Sequence, residues 1–204
     1  DACQAGSYLN LNIEQLGVDL LTLNGTKLGG PHGIGILYKR RGTPISPIIY
    51  GGDQEGGLRS GTENVALSRG MALALVKAQN NIVKSYKKTG ELQKYFSDLL
   101  IKKFPNCRIN GGHVKLPNNV SVSFPNLSSE LLVLELDARG ISVSLGSACS
   151  SAKEAGSHVL EALYGSEDSK KYGTVRFTFG PETKKSDITY VLKCLEKIIS
   201  KYEK

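Results

Sequence analysis

Three observations predict a two-part α/β protein. Short apolar runs close in glycine-rich turns across residues 1–64. Helical spacings fill 65–103. Strand-like and helical segments then alternate across 104–204, the pattern of an α/β or α+β domain. We divide the chain there: a first part to 64, linking helices over 65–103, and a smaller C-terminal domain from 104.

The elements follow in order. Residues 18–23, Val-Asp-Leu-Leu-Thr-Leu, read as a buried strand before a polar-glycine turn, and 33–38 as a second strand. Ile48-Ile-Tyr50 leads into a glycine-rich loop over 51–61, after which Asn64 suits the cap of a long helix. Met71, Leu75, Ile82, Tyr86, Leu92, Tyr95, Phe96 and Leu99 keep helical spacing, in two segments expected to break near Gly90. Residues 120–124, Val-Ser-Val-Ser-Phe, alternate as a strand with one buried face. Ser128 opens a helix that Gly140 stops, 141–144 form a short strand, 157–163 a helix and 174–179 a strand. Thr183 suits the cap of a last helix striped by Ile188, Val191, Leu192, Leu195, Ile198, Ile199 and Tyr202.

The 204 residues suffice for one substantial core, or for one domain with a smaller partner. With 40% hydrophobic and 22% charged residues, the composition is that of a soluble globular protein. No apolar run approaches the roughly 20 residues of a membrane span, so no membrane partner is expected. The net charge of +7 comes from dispersed lysines without an RNA-binding aromatic motif; a solvated basic face is favoured over nucleic-acid binding. Cys3, Cys107, Cys149 and Cys194 form no CxxC pair, and His32, His113 and His158 no ligand spacing, so no metal site is expected. Thiols in a chain of this size fit a reducing, cytosol-like compartment, with Cys3, Cys107 and Cys194 as small buried residues.

Chemistry concentrates at two places. Gly146-Ser-Ala-Cys149-Ser-Ser sets one cysteine among very small residues, which leave its sulfur accessible. Upstream, Asn24-Gly-Thr26-Lys27 enters the turn Leu28-Gly-Gly-Pro-His-Gly-Ile-Gly35. Lys27 is either a surface lysine in a turn or an amine that holds an aldehyde cofactor, the latter requiring its neutral form. Thr26, Asn24 and the glycines could serve a phosphate. Asp1 could face a pyridine nitrogen and Gln4 a ring hydroxyl, or both could be strand-end polar residues. Arg59-Ser-Gly-Thr62 suits an anion or a solvent loop. Arg176, among apolar neighbours in a strand, needs an anionic partner; a substrate carboxylate and a structural carboxylate serve equally.

In order along the chain, these motifs resemble the C-terminal half or more of a cysteine desulfurase of the NifS/IscS type, in the class-V aminotransferase family. The resemblance rests on Asp1-x-x-Gln4, the Lys27 turn, Gly51-Gly-Asp-Gln-Glu-Gly-Gly-Leu-Arg-Ser-Gly-Thr62-Glu-Asn, Ser147-Ala-Cys149-Ser-Ser and Val175-Arg176-Phe. The small-residue setting of Cys149 is similar to the first desulfurase group rather than the SufS-like one. The resemblance implies fold-type I architecture, comprising part of the large domain and the small C-terminal α+β domain. It also implies pyridoxal 5'-phosphate as cofactor and a homodimer. By the same resemblance, Lys27 holds the cofactor, Asp1 its ring nitrogen, Gln4 its ring hydroxyl, and Arg176 the substrate carboxylate. Thr62 reaches the phosphate of the partner subunit. Asn24 and Thr26 replace the serine and histidine usual around the phosphate, which implies a weaker grip.

The implied reaction converts L-cysteine to L-alanine. Lys27 moves the α-proton, and Cys149 takes the sulfur as a persulfide for an iron–sulfur scaffold or a tRNA-modifying acceptor. The implied location is cytoplasmic, or mitochondrial in a eukaryote. The family's N-terminal part would precede Asp1, and weak or no cofactor retention by this chain alone is expected. Two other readings are a selenocysteine lyase or related lyase, and a non-catalytic basic module that binds protein or RNA.

Overall fold

In a computed structural model describing residues 1–112, 114–145, 157–166 and 171–202, the chain divides into two compact units, Asp1–Tyr86 and Lys87–Lys204. In the first unit a 3-10 turn, Ala5–Ser7, precedes α1 (Ile13–Leu16), which is capped by the Asn12 side chain. Leu21 and Leu23 alternate with exposed Leu20 and Thr22 in β1 (Leu20–Asn24), so this strand buries one face only. It pairs antiparallel with β2 (Gly35–Lys39), and the lysine turn lies between them. The sequence boundaries shift by one or two residues, because Val18 and Asp19 precede the ladder.

The helix α2 (Val65–Asn80) starts where expected: the Asn64 side chain accepts the Leu67 N–H at 3.0 Å. Met71, with Ala74, Leu75 and Ala78 beside it, packs on Leu21, Leu23 and Leu28. The expected break near Gly90 does not occur. The helix α3 (Ile82–Lys103) runs through it, and the interruption falls at Asn81. Glycine costs a helix interior about 0.5–1 kcal/mol relative to alanine. Burial of Thr89, Leu92, Phe96 and Leu100 on the same helix outweighs that.

The second unit is an α+β layer. β3 (Arg108–Ile109), β4 (Asn119–Pro125), β5 (Ser144–Leu145) and β6 (Tyr172–Thr178) form one antiparallel sheet in the order β3-β4-β6-β5. Beside it lie, among the described residues, α4 (Ser129–Asp137), α5 (His158–Tyr164) and α6 (Lys185–Tyr202). Val120, Val122, Phe124, Val175 and Phe177 join Phe96, Leu100, Leu132, Leu136, Leu192, Leu195 and Ile198 in one core. Phe96 meets Phe177 and Phe179 edge-on, with ring centroids 4.9 and 5.7 Å apart.

Three local expectations are corrected. The short strand of 141–144 is β5, displaced to 144–145, because Ile141 instead turns inward into the core behind Gly140. Thr183 does not cap α6. Its hydroxyl accepts the Gly180 N–H at 2.9 Å, closing a turn, and Asp187 reaches back to the Lys184 N–H at 2.9 Å. Cys3 and Cys107 are half-buried rather than buried, whereas Cys194 is in the core.

The end of α6 is clamped by Glu135 of α4, which accepts from Lys201 at 2.7 Å, Tyr202 at 2.8 Å and Arg139 at 2.6 Å. These donors hold the Glu135 carboxyl down to about 2. An unperturbed glutamate titrates near 4.3. The clamp therefore stabilises the fold fully above about pH 4.3 and loses its effect as pH falls toward 2. Glu135→Gln should lower the thermal midpoint at pH 7, and the gap from wild type should narrow in melts at pH 3.

Candidate active site

β1 delivers Asn24 to the start of a 3-10 turn, Gly25–Leu28, and the Asn24 carbonyl oxygen of the side chain accepts both the Thr26 N–H (2.9 Å) and the Thr26 hydroxyl (2.6 Å). Thr26 thus spends its hydrogens on the Asn24 oxygen, which turns the Asn24 side-chain NH2 away from Thr26. Gly25 must be glycine: a Cβ there would sit 2.6 Å from the Pro31 carbonyl oxygen. Lys27 follows on the exposed side of the turn, with no ion pair among the described residues.

Asp1 joins the same strand. The Ala2 N–H donates to the Thr22 carbonyl at 3.0 Å. Asp1 accepts from the Cys3 N–H at 2.8 Å and from the Thr22 hydroxyl at 3.5 Å. The structure therefore brings Asp1 beside β1, the strand that ends at the Lys27 turn, and Ser7 ties its segment to that turn by a 3.3 Å bond to the Lys27 carbonyl. Gln4 is exposed at the start of the same segment.

Thr62 is exposed just after the glycine loop, which is folded on itself. Ser60 donates to the Tyr50 carbonyl at 2.9 Å, Gln54 accepts the Gly61 N–H at 3.1 Å, and the Arg59 guanidinium donates to the Ser60 carbonyl. Arg59 thus serves its own loop.

In the second unit, the sheet has one apolar face and one polar face. Arg176 lies in register with Ser121 on β4 and Ser144 on β5, opposite in facing to Val175 and Phe177. It is half-buried, and no carboxylate pairs with it among the described residues. Next to it, Ser123 and Thr174 share a 2.6 Å bond, and Asn110 donates to Ser121 at 3.1 Å and Ser123 at 2.8 Å. The strand of 120–124, expected to bury one face, also buries Ser123 on the other, opposite Thr174. Cys149 and His113 lie outside the described residues; β5 ends at Leu145, four positions before Cys149 in sequence.

A sequence profile described as Aminotransferase class-V matches residues 1–191. Over 202 residues and 98% of this chain, the sequence is 42% identical to a cysteine desulfurase IscS of Dictyoglomus turgidum and 37% identical to one of Clostridium botulinum. The chain spans about half the length of these curated relatives, 51% in each case. A crystal structure of a NifS-like protein from Rickettsia africae superimposes with a TM-score of 0.86 at 32% identity, covering 98% of this chain and 52% of that one.

Proposed function

The chain belongs to the aminotransferase class-V family, and from that premise we propose that it is a cysteine desulfurase, or the part of one bearing the reacting side chains. Its architecture is that of fold-type I pyridoxal-phosphate enzymes. The observation that carries the reading is Arg176, a half-buried guanidinium without a carboxylate among the described residues, one strand away from β5, whose end leads on to Cys149.

The residues present suit pyridoxal 5'-phosphate: an exposed amine without an ion pair among the described residues, and a carboxylate fixed to the strand that bears it. Lys27 would hold the aldehyde carbon, Asp1 the ring nitrogen and Gln4 the ring hydroxyl. The Asn24 side-chain amide would hold the phosphate, with Thr26 orienting it through the two hydrogen bonds it donates to the Asn24 oxygen, and with Thr62 contributed across a homodimer. When bound, the cofactor supplies an electron sink beside the substrate's α-carbon.

The chain's own residues do the rest. Arg176 takes the L-cysteine carboxylate in a two-pronged contact and fixes its orientation. Lys27, as a neutral amine, takes the α-proton and later returns a proton to carbon. The Cys149 thiolate forms an S–S bond to the substrate sulfur while the substrate C–S bond breaks, its electron pair staying with carbon. Protonation there yields L-alanine, and the Cys149 persulfide passes its outer sulfur to an acceptor such as an iron–sulfur scaffold or a tRNA-thiolation protein. Cys3, Cys107 and Cys194 are free thiols, in keeping with a reducing compartment such as the cytoplasm or mitochondrion.

Incubation with L-cysteine, dithiothreitol and pyridoxal 5'-phosphate in large excess, which offsets weak retention, should yield alanine and sulfide in equal amounts. If neither product forms, the proposal is overturned. Arg176→Lys keeps the charge but loses the planar fork. It should raise KM for L-cysteine about tenfold, the weight of one charge-assisted hydrogen bond of about 1.5 kcal/mol, with kcat nearly unchanged.

A further inference from the structure

Gln79 sits at the end of α2, far in sequence from everything it touches. Its side-chain amide donates to the Gly6 carbonyl at 2.7 Å and the Leu9 carbonyl at 3.0 Å, and accepts the Leu11 N–H at 3.2 Å. From Gly6 the line continues: the Gly6 N–H donates to the Ala2 carbonyl at 3.1 Å, and the Ala2 N–H to the Thr22 carbonyl of β1 at 3.0 Å. Asp1 hangs at the end of that line, next to Thr22. The same helix also carries the lysine turn. A Cβ on Gly30 would come within 2.9 Å of the Ala74 Cβ, and one on Gly70 within 2.6 Å of the Pro31 Cγ. Gly6 is pressed against Leu28 so closely that a Cβ would lie 2.7 Å from its methyl.

We propose that Gln79 is a positioning residue, which through Gly6 and Ala2 sets the Asp1 carboxylate at its working place relative to Lys27. The inference rests on the reading of Lys27 and Asp1 as the two cofactor-binding groups at either end of the ring. One rigid element, α2, then serves as the common base for both, by packing on the lysine side and by an amide on the carboxylate side. Only an amide fits this task among residues of that length. It donates twice and accepts once without carrying charge, whereas a carboxylate would confront two carbonyl oxygens.

Two variants test this in the whole chain, Gln79→Met and Gln79→Glu. Both should speed amide hydrogen exchange at Ala2 and Gly6 by about tenfold, the weight of one lost bond. The Leu11 amide should be exposed in Gln79→Met and kept in Gln79→Glu, which retains the acceptor. Amides of β1 and β2 should keep their wild-type rates. With pyridoxal 5'-phosphate added, both variants should still be labelled at Lys27 after borohydride reduction. The pH dependence of their cofactor absorbance should shift in the direction produced by Asp1→Asn. Wild-type spectra and wild-type exchange at Ala2 would overturn the inference, and so would uniform loosening of the first unit, which marks a merely structural bond. If wild type itself is not labelled at Lys27 even in large excess of pyridoxal 5'-phosphate, the desulfurase reading fails. The selective exchange pattern at Ala2 and Gly6 then decides the positioning claim by itself.

Discussion

Lys27→Ala should abolish alanine formation and, with it, exchange of the L-cysteine α-hydrogen with solvent deuterium. Loss of a positioned base alone lowers a rate by about 10²–10⁴. Lys27 is also the group that would hold the cofactor's aldehyde, so borohydride reduction with pyridoxal 5'-phosphate should leave no modified peptide covering residues 24–35. The fold should be spared. Lys27 is exposed and makes no ion pair among the described residues, and the turn is set by Asn24, Gly25 and the Leu28 contact rather than by the lysine side chain. An unchanged thermal midpoint together with lost exchange would place the defect in chemistry. Retained α-hydrogen exchange in Lys27→Ala would remove the lysine from the reaction.

The lysine turn was legible because its signals are local. Asn24 caps it, Gly25 is excluded from bearing a Cβ, and Gly29 ends it at a φ of 73°, all within six positions. The stripe of α6 was legible for the same reason: apolar spacing alone names Ile188, Leu192, Leu195, Ile198 and Ile199, and all are buried. What the sequence hides depends on distant partners. Gln79 looks like any polar residue near a helix end, since its partners lie 68 to 73 positions away. Ser123 looks solvent-facing until β6 brings Thr174 opposite it. Gly90 read as a breaker because propensity is a local quantity, whereas the packing that holds α3 together is not. Arg176 falls between these cases. Its alternation in β6 was plain, but only the register with Ser121 and Ser144 shows that it faces away from the apolar core.

Cys149→Ala should separate the two halves of the proposed reaction. In that proposal Lys27 moves the α-proton and Arg176 holds the substrate carboxylate; neither task uses the thiol. Solvent deuterium should therefore still enter the α-position of recovered L-cysteine, and borohydride should still label Lys27. Transfer of sulfur needs a thiolate to accept it, because the C–S bond parts only as a new S–S bond forms. An unperturbed thiol ionises near 8.5, so the site is expected to help the thiol ionise. Alanine formation in Cys149→Ala should fall by about a thousandfold or more, the scale of losing a reacting nucleophile, and no persulfide should be found on the protein by mass spectrometry. Exchange without turnover is the signature that assigns proton transfer and sulfur acceptance to different residues. Full turnover in this variant would show that the sulfur leaves by another route.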